Sequence, residues 1–141
     1  MNLTMSEAER QAFLADLHVG VISIERADGP PLTVPIWYDY EPGGDLWVLT
    51  GADSLKTKLL RKAERFSLCA QTEQAPLYSY VSVEGPVVSV DPADIEADQR
   101  PMAHRYFGEE LGNMYVESLD GDSLKWTMRP ERWFTVDYSK L

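Results

Sequence analysis

Apolar and polar residues alternate along several short stretches of the chain, a pattern that predicts β-strands with one buried face. The clearest run extends from Leu32 to Tyr40, where every second residue from Leu32 onward is aliphatic or aromatic. Pro35 lies inside this run and has no amide hydrogen for a ladder, so we expect an edge or a break in pairing there. The longest run is expected to bend at Gly85-Pro86 through a bulge. The other strands are predicted at residues 18–25, 45–50, 66–72, 78–90, 124–128 and 133–138.

Two helical stretches are predicted from their end signals. Residues 6–9, Ser-Glu-Ala-Glu, have the spacing of a capping box and predict a short helix that ends near Asp16. Asp91-Pro92 has the residue types of an N-cap and a first helical position, so a second helical stretch is predicted to begin there. Pro101 is expected to interrupt it, and helical or irregular chain is expected as far as residues 120–121.

Six or seven strands with short turns and a few connecting helices predict a mainly β fold, in which the antiparallel strands close into a barrel. Closure removes the exposed strand edges that an open sheet would leave. The 141 residues suit a single domain, 1–141, because no repeat, linker or low-complexity tract divides the chain.

Composition argues against several classes of function. The net charge is −10, so no nucleic-acid partner is expected, because phosphate contacts need a basic surface. No apolar run has the roughly 20 residues of a membrane helix, so no membrane partner is expected. Cys69 is the only cysteine and the chain has two histidines, so neither a disulfide nor a metal cluster is predicted. Residues 1–10 are polar and acidic, unlike a secretory signal, and a cytoplasmic location is expected.

Positive charge is concentrated on a further helix, predicted over residues 54–63 with Asp53 or Ser54 as its N-cap. Five of the 13 basic residues lie within ten positions there, namely Lys56, Lys58, Arg61, Lys62 and Arg65. At 100° per residue, an inward arc is expected to contain Leu55, Leu59, Leu60 and Ala63. Lys56 falls near the centre of that arc, whereas the other basic residues lie mostly opposite it.

An inward lysine in the first turn of a helix is unfavourable for two reasons. A desolvated ammonium is costly, and the helix N-terminus already carries partial positive charge. Both costs fall if an anion binds there, because free amides and a lysine together form a phosphate site. The hydroxyls of Ser54 and Thr57, with Lys58 nearby, would add donors. Alternatively, Lys56 extends along the surface to water or pairs with a carboxylate.

The order of these elements, and above all the run Ser-Leu-Lys-Thr-Lys-Leu-Leu at residues 54–60, resembles the pyridoxamine 5′-phosphate oxidase-like split-barrel superfamily. The runs 34–38, 78–85 and 128–133 are similar to its second strand, its fifth strand and its last hairpin. The resemblance covers about residues 6–138 and is nearest to the small actinobacterial flavin- and deazaflavin-dependent oxidoreductases. It implies a homodimeric split barrel with its cofactors at the subunit interface.

The resemblance also implies which residues bind the cofactor. Lys56 matches a basic residue that contacts the cofactor phosphate, and Lys58 matches a second, frequently basic position. Ser54 stands where several relatives have arginine. Tyr78 matches an aromatic position that approaches the cofactor from the partner subunit. The residues expected against the ring are Val34, Pro35, Ile36, Trp37, Thr50 and Gly51.

The function that the resemblance implies is hydride transfer between a bound FMN or coenzyme F-420 (a deazaflavin) and a small unsaturated or carbonyl substrate. The cofactor would supply the chemistry, so no catalytic side chain is predicted. The similarity to the small actinobacterial members slightly favours the deazaflavin, whose longer acidic tail could use Lys58 and Arg61. The alternatives are a protein that binds a flavin or another planar ligand without turnover, and a structural dimer with an empty cleft.

Overall fold

The chain contains eight antiparallel strands and four α-helices, described for residues 1–141 in a computed structural model. The strands are β1 (Gly20–Ile24), β2 (Leu32–Ile36), β3 (Tyr38–Tyr40), β4 (Leu46–Gly51), β5 (Arg65–Gln71), β6 (Ser79–Pro92), β7 (Ser123–Met128) and β8 (Arg132–Asp137). The helices are α1 (Glu7–Ala15), α2 (Leu55–Ala63), α3 (Arg100–Phe107) and α4 (Glu109–Glu117). A π-helical turn, Ile95–Gln99, leads directly into α3, and a 3-10 turn, Tyr138–Lys140, follows β8.

The strands form one strongly curled sheet in the order β2-β1-β5-β6-β7-β4-β3. β7 and β8 follow each other along the long strand β6, with β7 on its second half and β8 on its first. The two outermost strands in this order, β2 and β3, are consecutive in sequence, with only Trp37 between them. The curled sheet therefore begins and ends at the same stretch of chain. The predicted mainly β, split-barrel fold is confirmed. The eighth strand arises because the predicted 32–40 run is divided at Trp37.

Alternation along the 32–40 run is confirmed by burial. Ile36, Tyr38 and Tyr40 are buried, whereas Thr33 and Pro35 are exposed. The inward side chains of the strands join one apolar cluster, to which α1 and α2 each add a fully buried leucine. Each such side chain contributes about 1.5–3 kcal/mol to folding, so the barrel interior is the main source of stability.

The irregularity of β6 lies just beyond Gly85-Pro86, where a bulge was predicted. A methyl group on Gly85 would overlap the carbonyl of Arg129, which passes directly over that position. The register between β6 and β7 then shifts between Val87 and Ser89. β6 pairs with β5 and β8 along its first half and with β7 along its second, and only glycine fits at position 85, where the two halves meet.

The helix predicted to begin at Asp91-Pro92 begins later. Both residues still belong to β6, opposite the start of β7, so the prediction was wrong. Asp94 is the N-cap instead, and its carboxylate accepts from the amide of Ala97 at 2.7 Å. Pro101 does not end the helix but lies in the first turn of α3. Its ring would clash with the carbonyl four residues earlier in a regular α-helix, and the wider π-helical turn before it relieves that clash.

Candidate functional site

A cleft of about 360 Å³ opens beside Trp37, where β2 and β3 separate. This volume lies within the roughly 300–1,000 Å³ typical of small-molecule sites. Its walls come from β2, the end of β4, the first turn of α2 and the helical segment from Ile95 to Leu119. The apolar lining residues include Val19, Pro35, Ile36, Trp37, Met102 and Leu119, and the polar ones include Thr50, Lys56, Gln99 and Ser123.

Trp37 forms an aromatic wall of the cleft. Its ring stacks on Tyr106 with a centroid separation of 4.8 Å and an interplanar angle of 4°. Phe107 and Tyr115 also contact the indole, at centroid distances of 4.9 and 5.4 Å. An indole held on several sides is a rigid surface against which a flat ligand ring can pack.

Arg105 and Tyr106 attach α3 to the barrel at the same break. The Tyr38 amide donates to the Tyr106 hydroxyl at 3.1 Å, and that hydroxyl donates to the His18 carbonyl at 2.6 Å. The Arg105 guanidinium donates to the carbonyls of Tyr38 (3.2 Å) and Asp16 (2.9 Å). Backbone groups left without a ladder partner at the break are thereby satisfied. Burial raises the pKa of Tyr106, so its hydroxyl stays protonated and remains a donor.

Thr57 holds the turn between β4 and α2. The Trp126 indole donates to the Thr50 hydroxyl at 2.7 Å, which lies 2.6 Å from the Thr57 hydroxyl. Thr57 in turn donates to the Gly51 carbonyl at 2.7 Å. All three side chains are almost fully buried, and this series of bonds (the Thr50–Thr57 network) fixes the point at which α2 begins. The Thr57 hydroxyl is therefore engaged inside the protein.

Lys56 lies in the first turn of α2 and lines the cleft. Its side chain is partly buried, no carboxylate lies within ion-pair distance of it, and it makes no hydrogen bond. Of the two residues predicted as the N-cap, Asp53 and Ser54, the structure has Ser54, whose hydroxyl accepts from the Thr57 amide at 3.3 Å. The unpaired ammonium and the partial positive charge of the helix N-terminus together give this side of the cleft a positive potential.

The predicted inward face of α2 was correct for Leu59, Leu60 and Ala63 and wrong for Leu55. Leu55, expected to face inward, is 50% exposed, whereas Thr57 is 1% exposed. The Thr57 hydroxyl was predicted as a donor to a bound anion, but its partners are the Thr50 hydroxyl and the Gly51 carbonyl inside the protein. Lys56 consequently lies at the edge of the buried face and not at its centre.

Six of the predicted cofactor-binding residues line this one cleft, namely Pro35, Ile36, Trp37, Thr50, Gly51 and Lys56. The other five do not line it. Ser54 and Thr57 form the turn behind Lys56, Lys58 is exposed, and Val34 packs against the core. Tyr78 is exposed just before β6, and its approach to a cofactor from a partner subunit stays a prediction.

The helical segment supplies lining residues that sequence reasoning missed. Gln99, Met102 and Ala103 all face the cleft, and all three are buried. The available signal was the apolar pair Met102-Ala103, which lies one helical turn after Gln99. That signal was overlooked because the segment was predicted only as helical or irregular chain.

Three further features bear on function: metal-ligating groups, the single thiol and the hydropathy of the helices. No group of three or more His, Cys, Asp or Glu side chains is positioned to hold a metal ion. Burial raises the pKa of the free thiol of Cys69 in β5, which disfavours its reactive thiolate form. None of the helices combines the length and the hydropathy that a membrane span requires.

Comparison with known proteins supports the resemblance on which the site was predicted. The family model described as pyridoxamine 5′-phosphate oxidase matches residues 6–137. No curated protein matches the sequence.

Solved structures share the fold at low sequence identity. A conserved hypothetical protein of Mycobacterium tuberculosis, Rv2991, is 23% identical, with a TM-score of 0.79 over 98% of this chain and 88% of the other. An F420 reductase is 18% identical, with a TM-score of 0.70 over 88% and 94% of the two chains. A FAD-binding protein of Mesorhizobium loti is 18% identical, with a TM-score of 0.65 over 94% and 95%.

Proposed function

The chain belongs to the pyridoxamine 5′-phosphate oxidase family, and from that premise we propose that it is an oxidoreductase that binds coenzyme F-420 or FMN in the cleft. It transfers hydride between that cofactor and a small unsaturated or carbonyl substrate. The observation that carries this proposal is the unpaired, partly buried Lys56 in the same cleft as the fixed indole of Trp37.

The residues present fit such a cofactor. FMN and F-420 both combine a flat tricyclic ring with a phosphate group. Lys56 and the open amides at the start of α2 suit the phosphate, because a helix N-terminus with a lysine is an anion site. Trp37 and Ile36 offer the ring an aromatic and an aliphatic surface.

The chain's own residues have binding and positioning tasks in this mechanism. Hydride chemistry is what the cofactor supplies when it is bound. Lys56 neutralises the phosphate, while the Thr50–Thr57 network keeps the first turn of α2 in place. Met102 and Ala103 exclude water from the cleft, which strengthens the electrostatic interactions inside it. No side chain is required as an acid or a base.

We also propose that the protein acts as a homodimer with the cofactor at the subunit interface. Large apolar side chains of α4 are exposed, among them Leu111 (58%) and Met114 (59%). The neighbouring Leu119 and Val19, which line the cleft, are exposed as well. Exposed apolar groups next to a binding site are typical of an interaction surface, and a second subunit would cover both. Sedimentation of the purified protein tests this, and a strictly monomeric species at micromolar concentration contradicts it.

Titration of the purified protein with F-420 and with FMN tests the proposed function most directly. Binding to the native state at 100 times the Kd should raise the free energy of unfolding by about 2.7 kcal/mol. Consumption of the reduced cofactor is then followed with a panel of enones and quinones. Binding without any turnover favours the alternative of a non-catalytic flavin-binding protein. An unchanged thermal midpoint with an excess of both cofactors contradicts the proposal and leaves a structural dimer.

A further inference from the structure

Gln99 differs from every other buried polar residue of the protein. Five polar or charged residues are buried, and four of them, Thr50, Thr57, Asp98 and Thr135, bond through their side chains. Gln99 is nine-tenths buried, yet its amide has no hydrogen-bond partner. The amide is not among the fully enclosed atoms that lack a partner, so it keeps contact with the cleft that the residue lines.

The local backbone explains how the amide is held there. Residues Ile95–Gln99 form a π-helical turn, a feature that is rare and often found at functional sites. The wider turn buries two consecutive residues, Asp98 and Gln99. The Asp98 carboxylate accepts from Lys125 at 3.0 Å and from the Asp94 amide at 2.8 Å, so this turn is fixed to β7. Gln99 is thus presented to the cleft by a rigid element.

Burial of nine-tenths of Gln99 limits the water that can reach its amide, and the protein supplies no partner in exchange, so the amide is only partly satisfied without a ligand. A ligand in the cleft would supply the hydrogen bonds that the Gln99 amide does not find among its apolar neighbours. The carboxamide offers both a donor and an acceptor, so its complement is a flat –CO–NH– edge. Hydrogen bonds formed beside Met102 and Ala103 are stronger than in water, since the local dielectric constant is low.

We propose that Gln99 is a specificity residue whose side-chain amide pairs with the –CO–NH– edge of the ring of the bound cofactor. This proposal rests on the proposed function and extends it, because both candidate cofactors carry such an edge. Lys56 then recognises the phosphate and Gln99 the ring, so that the cleft identifies its ligand at two points.

The test compares the full-length wild type with Gln99→Met, which keeps an unbranched side chain of similar length and removes the amide. Binding of F-420 and of FMN is measured by fluorescence titration, and thermal unfolding is measured without ligand. We expect Gln99→Met to weaken binding of the preferred cofactor by roughly 10- to 100-fold. The midpoint of the ligand-free protein should stay the same or rise. Gln71→Met, at an exposed site on β5, is the matched control and should change neither quantity.

The outcomes separate this proposal from the function on which it rests. Unchanged cofactor binding by Gln99→Met overturns the role of Gln99 while the proposed function stands. A midpoint lowered by several degrees without ligand shows that the amide is structural and also overturns it. A wild type that binds neither cofactor overturns the proposed function and this proposal together.

Discussion

Each of the two polar walls of the cleft combines groups that are paired within the protein with one group that is left open. At the turn from β4 to α2, the buried hydroxyls of Thr50 and Thr57 bond to one another and to their neighbours, and none is left open. At the π-helical turn, Asp98 is paired with Lys125, whereas the adjacent Gln99 has no partner. Lys56, next to the paired Thr57, is also without a partner.

This contrast separates residues that support the cleft from residues available to a ligand. A polar group that the protein satisfies by itself contributes to folding, and its removal strands a buried partner. A group left open adds nothing to folding and gains its bonds only from a ligand. Substitutions should therefore affect stability at the paired positions and affinity at the open ones.

Thr57→Val should have the largest effect of the substitutions considered. It leaves the Gly51 carbonyl and the Thr50 hydroxyl with one partner fewer in a buried place, so the free energy of unfolding should fall by about 2–3 kcal/mol. Thermal or urea unfolding measures the loss. Thr57→Ser should recover most of it, and Thr33→Val on the exposed face of β2 should change stability by less than about 0.5 kcal/mol. Equal stability of Thr57→Val and wild type would show that the network does not hold the turn.

Lys56→Ala should weaken cofactor binding without lowering the stability of the protein. Cofactor affinity should fall roughly 10- to 100-fold, which corresponds to about 1.4–2.7 kcal/mol of binding energy. The midpoint of the ligand-free protein should not fall, because the lysine has no partner to lose. Lys62→Ala removes the same charge from the exposed face of α2 and serves as the control. If both variants bind as the wild type does, Lys56 is not a cofactor ligand.

Tyr106→Phe tests the attachment of α3 to the barrel, and we expect a loss of about 1–2 kcal/mol at pH 7 from the partly buried hydrogen bonds of its hydroxyl to Tyr38 and His18. The pKa of Tyr106 is raised in the folded state by burial, so its contribution is complete below the pKa of the unfolded chain, near 10. It is lost as the pH rises through the folded-state pKa. Unfolding followed from pH 8 to pH 11 should show a smaller alkaline loss of stability for Tyr106→Phe than for wild type. Parallel curves would contradict this assignment.

Signals that lie close together in the sequence predicted much of the fold. Both hydrogen bonds of the capping box predicted at residues 6–9 are present: the Ser6 amide donates to the Glu9 carboxylate, and the Glu9 amide donates to the Ser6 hydroxyl. Alternation over residues 32–40 predicted which face is buried. The N-cap of α2 is Ser54, one of the two residues predicted for that position.

The missed parts depend on contacts between distant residues. Gln99 reaches the cleft through contacts that sequence patterns do not contain: the adjacent Asp98 binds Lys125 of β7, and Tyr106 binds the backbone of Tyr38, almost 70 positions earlier. The burial of Thr57 in α2 was missed because it depends on a hydroxyl of β4. Periodicity contains no information on such partners.

Lys58→Ala is expected to have the smallest effect and distinguishes the two cofactors. Lys58 is exposed, so water screens its charge and a single contact there is weak. We expect roughly a 3- to 10-fold loss of F-420 affinity at low salt, because the acidic tail of that cofactor extends beyond the phosphate. FMN has no such tail and is the internal control, with less than about a 3-fold change expected. The F-420 effect should shrink as ionic strength rises towards 1 M, where the Debye length is about 3 Å. An equal loss for both cofactors would instead assign Lys58, with Lys56, to the phosphate.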